Sequence, residues 1–69
     1  MNLIKEYRLK RGLTQNELAN EANISFQYIS LIENGERNPS INTAKKIAKI
    51  LKIPKSKRIK LYEEFGKEE

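Results

Sequence analysis

Two helix-start signals lie close together near the middle of this chain, and they restrict its fold more than any other feature. Thr14-Gln15-Asn16-Glu17 is a capping box: the Thr14 hydroxyl can accept from the Glu17 amide while the Glu17 carboxylate reaches back to the Thr14 amide. Ser25 is a second N-cap eleven positions later. The helix between them turns Leu18, Ala19 and Ala22 inward and ends at Asn23, a residue type that tolerates positive φ. Only Asn23 and Ile24 then separate Ala22 from the Ser25 cap. Helices joined so tightly must cross steeply, and small side chains such as Ala19 and Ala22 let them approach. Spacing alone is served equally by a helix-turn-helix and by an ordinary corner of two helices.

Turn signals divide the rest of the chain into three more helical segments. The first starts at the N-cap Asn2, carries Leu3, Ile4, Tyr7 and Leu9 as its apolar set, and stops with Gly12 in the C′ position. The helix capped by Ser25 buries Ile29 and Ile32 and closes at Asn34-Gly35. After a loop from Gly35 to Ser40, Ser40 caps a fourth helix whose inward face is Ile41, Ala44, Ile47, Ala48 and Leu51, broken at Ile53-Pro54. A fifth segment from Ser56 to Phe65 carries Ile59, Leu61, Tyr62 and Phe65 before Gly66. No run alternates with period two for long enough to make a strand. The expectation is an all-α, compact five-helix domain over residues 1–66, with residues 67–69 a frayed tail.

Size and composition decide what such a bundle can do. Ordering 69 residues costs roughly 100 kcal/mol at about 1.5 kcal/mol each, so the 38% hydrophobic fraction must pack with little waste. The chain has no Cys and no His, which removes disulfides and leaves no credible zinc site. Helix packing and oligomerisation remain. The same absences argue against an enzyme, since a catalytic site would need carboxylate, Lys, Tyr or Ser chemistry on a scaffold too small to enclose a substrate. No cofactor and no small-molecule ligand are expected. No stretch approaches the roughly 20 apolar residues of a membrane span, and Met1 to Glu6 lacks an apolar signal region, so the expected location is cytoplasmic. Ile59, Leu61, Tyr62 and Phe65 are more apolar groups than one short helix can bury against so small a core, which marks them as candidates for a dimer interface.

The outer face of the third helix is unusual in a chain that is 33% charged. Opposite Ile29 and Ile32 lie Gln27, Ser30, Leu31 and Asn34, flanked by Phe26 and Tyr28, with no Lys, Arg, Asp or Glu among them. These side chains suit base edges: Gln27 can bond adenine N6 and N7 together, Ser30 can donate or accept, and Leu31 or Phe26 can meet a thymine methyl. Phe26, Tyr28 and Leu31 serve equally to cover the core or to form a patch for a protein partner.

Leu13-Thr14-Gln15-Asn16-Glu17-Leu18-Ala19, Ile24-Ser25, Tyr28-Ile29-Ser30, Ile32-Glu33-Asn34-Gly35, Arg37-Asn38-Pro39-Ser40 and Ala44-Lys45-Lys46-Ile47-Ala48 together closely resemble the Cro and phage-repressor type of helix-turn-helix, the XRE family. The resemblance covers about residues 3 to 53. It implies a five-helix, lambda-repressor-like DNA-binding domain whose third helix enters the major groove, commonly as a homodimer on a palindromic double-stranded operator. By position it implies phosphate contacts from Gln15, with the helix N-terminus at Thr14, and from Asn34, Arg37 and Asn38 in the following loop. Base reading falls on Phe26, Gln27, Tyr28 and Leu31, with Ser25 at the helix entrance. Arg8 and Glu33 fall where the family often places a buried ion pair between the first and third helices. Asn23 stands where Gly is usual, and Phe26 and Leu31 are more apolar than typical readers.

The net charge of +5 does not lie in that unit. Residues 1–40 hold five basic and five acidic residues, whereas residues 41–69 hold nine basic and four acidic. Lys45, Lys46, Lys49, Lys52, Lys55, Lys57, Arg58 and Lys60 form a run without an acidic residue, which can steer the chain towards DNA or simply solvate a Lys-rich face. The reading is a sequence-specific DNA-binding regulator that represses by operator occlusion. The rival is an antitoxin-like or adaptor module that binds protein through the third helix. RNA fits the major-groove form of that helix less well.

Overall fold

The computed structural model describes residues 3–66, and the side chains of residues 3–63. Five helices follow in order: α1 (Leu3–Lys10), α2 (Gln15–Ala22), α3 (Phe26–Glu33), α4 (Ile41–Leu51) and α5 (Lys55–Gly66). There is no strand among the described residues. The expected cap at Asn2 and the expected tail at residues 67–69 lie outside them.

Local chemistry sets most of these boundaries. The Thr14 hydroxyl accepts the Glu17 amide at 3.0 Å while the Glu17 carboxylate accepts the Thr14 amide at 2.8 Å. Ser25 and Ser40 cap α3 and α4 through their hydroxyls, which accept from the Tyr28 and Thr43 amides. Asn23 ends α2 in the left-handed region at φ 58°, and the Ile24 amide reaches back to the Ala19 carbonyl. Lys52 ends α4 in the same way at φ 57°, with Ile53 bonded back to Ala48. A lysine in this conformation carries a Cβ clash that Gly would avoid.

Helix α4 is the hub. It packs on α1, α2 and α5, while α2 packs on α3. One apolar cluster joins all five, from Ile4 through Leu18, Ala22, Ile29, Ile32, Ile47 and Leu51 to Ile53 and Leu61. Ala19, Ala22, Ala44 and Ala48 are buried where helices meet, and their small size permits the close approach. Four basic side chains tie helix ends together: Arg8 donates to the Leu13 carbonyl, Arg11 to Ile50, Lys46 to Ala22 and Arg58 to Ile53. Each places a cation on carbonyls that a helix end or turn leaves open.

Three expectations change. Leu9 does not belong to the buried set: it is 52% exposed, because the inward line of α1 runs from Ile4 to Arg8 and leaves Leu9 about 100° around the helix. Ile41 is 41% exposed, since it stands in the first turn of α4, about 70° off the line through Ala44, Ile47, Ala48 and Leu51. Leu61 is fully buried in the core and is removed from the dimer candidates. Of the other candidates, Ile59 is 64% exposed, Tyr62 is half-buried against the core, and the side chain of Phe65 lies outside the described residues.

Candidate nucleic-acid interface

The site is built on α3 and on the turns at either end of it. Ile29 and Ile32 anchor the helix in the core, so its opposite face is fixed in orientation by packing alone. Ser25, Phe26, Gln27 and Asn34 are exposed along that face, and Ser30 and Leu31 are half-buried. Leu31 is not among the half-buried side chains that pack on the core cluster. Tyr28 is, and it also lies under the Arg37 guanidinium, 5.9 Å from ring centre to Cζ. That contact couples α3 to the loop that follows it, a link with no signature in the sequence.

The loop after α3 is shaped by its backbone. Gly35 adopts φ +79°, and the Glu36 and Arg37 amides both return to the Leu31 carbonyl. The chain therefore reverses tightly and leaves Gly35, Glu36, Arg37 and Asn38 exposed beside the C-terminal end of α3.

The start of α2 supplies the second flank. The capping box and first turn employ the amides of Thr14, Glu17 and Leu18, which leaves the Gln15 and Asn16 amides open at the positive end of the helix. An open groove bounded by Leu9, Leu13, Gln15, Asn16 and Phe26 connects this helix start to the first turn of α3. It brings Gln15 and Phe26, assigned respectively to phosphate and base, to one surface.

Beneath the groove sits a buried charge cluster. Arg8 Nε donates to Glu33 Oε2 at 2.7 Å and Arg8 Nη2 to Glu33 Oε1 at 3.1 Å, with the two side chains 9% and 1% exposed. Arg8 Nη1 donates to the Leu13 carbonyl at 2.7 Å, and Gln15 Nε2 donates to Glu33 Oε1 at 3.0 Å. The Gln15 bond was not anticipated from sequence, because it spans 18 residues and depends on how α2 crosses α3.

Seven of the eight residues of the basic run, Lys45, Lys46, Lys49, Lys52, Lys55, Lys57 and Lys60, are exposed, and Arg58 is half-buried. Lys46 and Arg58 are engaged on backbone carbonyls.

A family model described as helix-turn-helix matches residues 4–57. The chain belongs to the helix-turn-helix family, of the XRE type. Among its relatives is YqaF of Bacillus subtilis, named an uncharacterised HTH-type transcriptional regulator, which is 46% identical over 48 residues covering 70% of this chain and 63% of YqaF. MJ0272 of Methanocaldococcus jannaschii, named in the same way, is 41% identical over 63 residues, 91% of this chain and 94% of the relative. The HTH-type transcriptional regulator SinR of Bacillus subtilis is 39% identical over 51 residues, 72% of this chain but only 46% of SinR. Within this helix-turn-helix chain, α2 and α3 are the motif's two helices and Asn23-Ile24 its turn. No described helix is long and apolar enough to cross a membrane.

Proposed function

We propose that this chain is a sequence-specific, double-stranded DNA-binding transcriptional regulator that represses by occupying its operator as a homodimer in the cytoplasm. The observation that carries the reading is the uncharged face of α3, exposed at Ser25, Phe26, Gln27 and Asn34 and half-buried at Ser30 and Leu31, flanked by the open α2 N-terminus on one side and the Arg37-Asn38 loop on the other. Backbone amides and polar side chains at the flanks meet phosphates and set the register. Gln27, the exposed amide in the first turn of α3, reads adenine, and Phe26 and Leu31 meet thymine methyl groups. Ser25, Tyr28 and Ser30 complete the reading surface, and Thr14, Gln15, Asn34, Arg37 and Asn38 the phosphate contacts. Two copies, paired about a two-fold axis through the exposed part of α5 at Ile59 and Tyr62, read the halves of a palindrome.

The test is selection of binding sites from random duplex DNA with the wild type and with Gln27→Ala. The wild type is expected to return one short motif, and Gln27→Ala to lose about 1 to 3 kcal/mol of discrimination at a single base pair. Identical motifs from the two proteins would remove Gln27 from the reading surface. Failure of the wild type to enrich any motif would refute sequence-specific binding.

A further inference from the structure

We propose that Glu33 is a positioning residue for DNA binding: through Gln15 it aims a donor at the phosphate that the start of α2 receives. This deepens the proposed function and rests on its assignment of Gln15 to phosphate. Glu33 stands at the end of α3, and its carboxylate is 1% exposed. It accepts three bonds, two from Arg8 and one from Gln15. An ionised carboxylate can only accept, so the Gln15 amide must turn its nitrogen inward. One N–H of Nε2 is then spent on Glu33 Oε1 at 3.0 Å, and planar amide geometry sends the other in a direction that does not face the carboxylate. That second N–H is carried by the first residue of α2, the helix start at which the Gln15 and Asn16 backbone amides are open.

The anchor is itself held from several sides. Arg8 grips both Glu33 oxygens and the Leu13 carbonyl, so α1, the turn before α2, and α3 are tied at one point, and Gln15 carries the cluster out to the groove, which Arg8 and Leu13 also line and Glu33 does not. A glutamine that had to be ordered on contact would forfeit affinity to side-chain entropy; held by Glu33, it is ordered in advance. The buried ion pair thus has two tasks, joining α1 to α3 and presenting a phosphate donor.

The experiment is a double-mutant cycle on binding to a random-sequence duplex, which isolates phosphate contact from base reading, with Glu33→Gln, Gln15→Ala and the double variant. Glu33→Gln keeps the shape and an oxygen for Arg8, but no longer dictates which way the Gln15 amide faces. It is expected to weaken binding roughly three- to ten-fold in the wild-type background, the ordering cost of one long side chain, and to have no effect once Gln15 is Ala. An equal loss in both backgrounds would show that Glu33 acts only through general stability and overturn the proposal. Unchanged affinity in Gln15→Ala would overturn it from the other side, by removing the phosphate role of Gln15. A second measurement needs neither a variant nor DNA: side-chain amide resonances of Gln15 in the free wild type, with exposed Gln27 as internal reference. Slower amide-proton exchange and higher order at Gln15 than at Gln27 are expected, and equal behaviour overturns the proposal even if Glu33→Gln does not fold. Ordered Gln15 in a protein that binds no duplex would instead place the failure in the proposed function.

Discussion

Replacing Arg8 with Met keeps much of the buried aliphatic stem and removes the guanidinium, which gives a stringent test of how this small core is held. Three hydrogen bonds disappear, two to Glu33 and one to the Leu13 carbonyl. Glu33 is then left with Gln15 as its remaining partner at a side-chain exposure of 1%. Stranding one member of a buried pair costs about 3 to 5 kcal/mol. At about 0.05 to 0.15 kcal/mol per residue, a chain of 69 residues is stable by roughly 3 to 10 kcal/mol, so the loss is about a third of the total or more. With a urea m-value of about 1 kcal/mol/M, near the low end for small proteins, the midpoint of Arg8→Met falls by about 3 to 5 M.

The pair itself is a different matter from either half of it. Arg8→Met combined with Glu33→Leu removes both charges together, and such replacements are often neutral or stabilising. The double variant is therefore expected to recover at least half of the loss, with the Leu13 carbonyl left to find water. Urea titration followed by circular dichroism on wild type, single and double variants measures this. A single-variant loss below about 1 kcal/mol, or a double variant no more stable than Arg8→Met, would refute the reasoning. The exposed Lys10–Glu6 pair, 3.5 Å apart with side chains 60% and 45% exposed, is the control. Lys10→Ala should cost no more than about 0.5 kcal/mol.

Lys52→Gly should raise stability by about 1 kcal/mol in the same titration, because φ 57° penalises any residue with a Cβ. Arg37→Ala should weaken binding about equally on selected and random duplexes and make the slope of log K against log salt shallower by about 1, measured from 50 to 200 mM salt. Ile59→Lys should leave the circular dichroism unchanged and abolish self-association in sedimentation, whereas Leu61→Lys, which puts a charge into the core, should unfold the chain. A wild type that sediments as a monomer at high micromolar concentration would remove the proposed dimer.

Features governed by neighbours along the chain were legible in the sequence. The caps at Thr14, Ser25 and Ser40 bond to residues three positions on, and Asn23 needs only its own tolerance of positive φ, so α2 and α3 and the short turn between them follow from adjacent residues. Periodicity likewise picked out Ile29 and Ile32, and with them the face of α3 that carries the proposed reading surface. Arg8 and Glu33 could be named as a pair only through resemblance to the XRE family. What the tertiary structure decided depends on how helices cross. Leu9 and Ile41 lie outside because neighbouring helices cover adjacent parts of α1 and α4, and Leu61 is buried while Ile59, two positions earlier, is not. Nothing in residues 49–53 advertises a left-handed Lys52, since neither Gly nor Asn stands there. The net charge shows the division most plainly. Sequence could count the cations, but only the fold assigned Arg11, Lys46 and Arg58 to backbone carbonyls and left the seven lysines of the basic run exposed. The bond from Gln15 to Glu33 is of the same kind: it joins residues that no local rule relates, and it exists because α2 and α3 cross where they do.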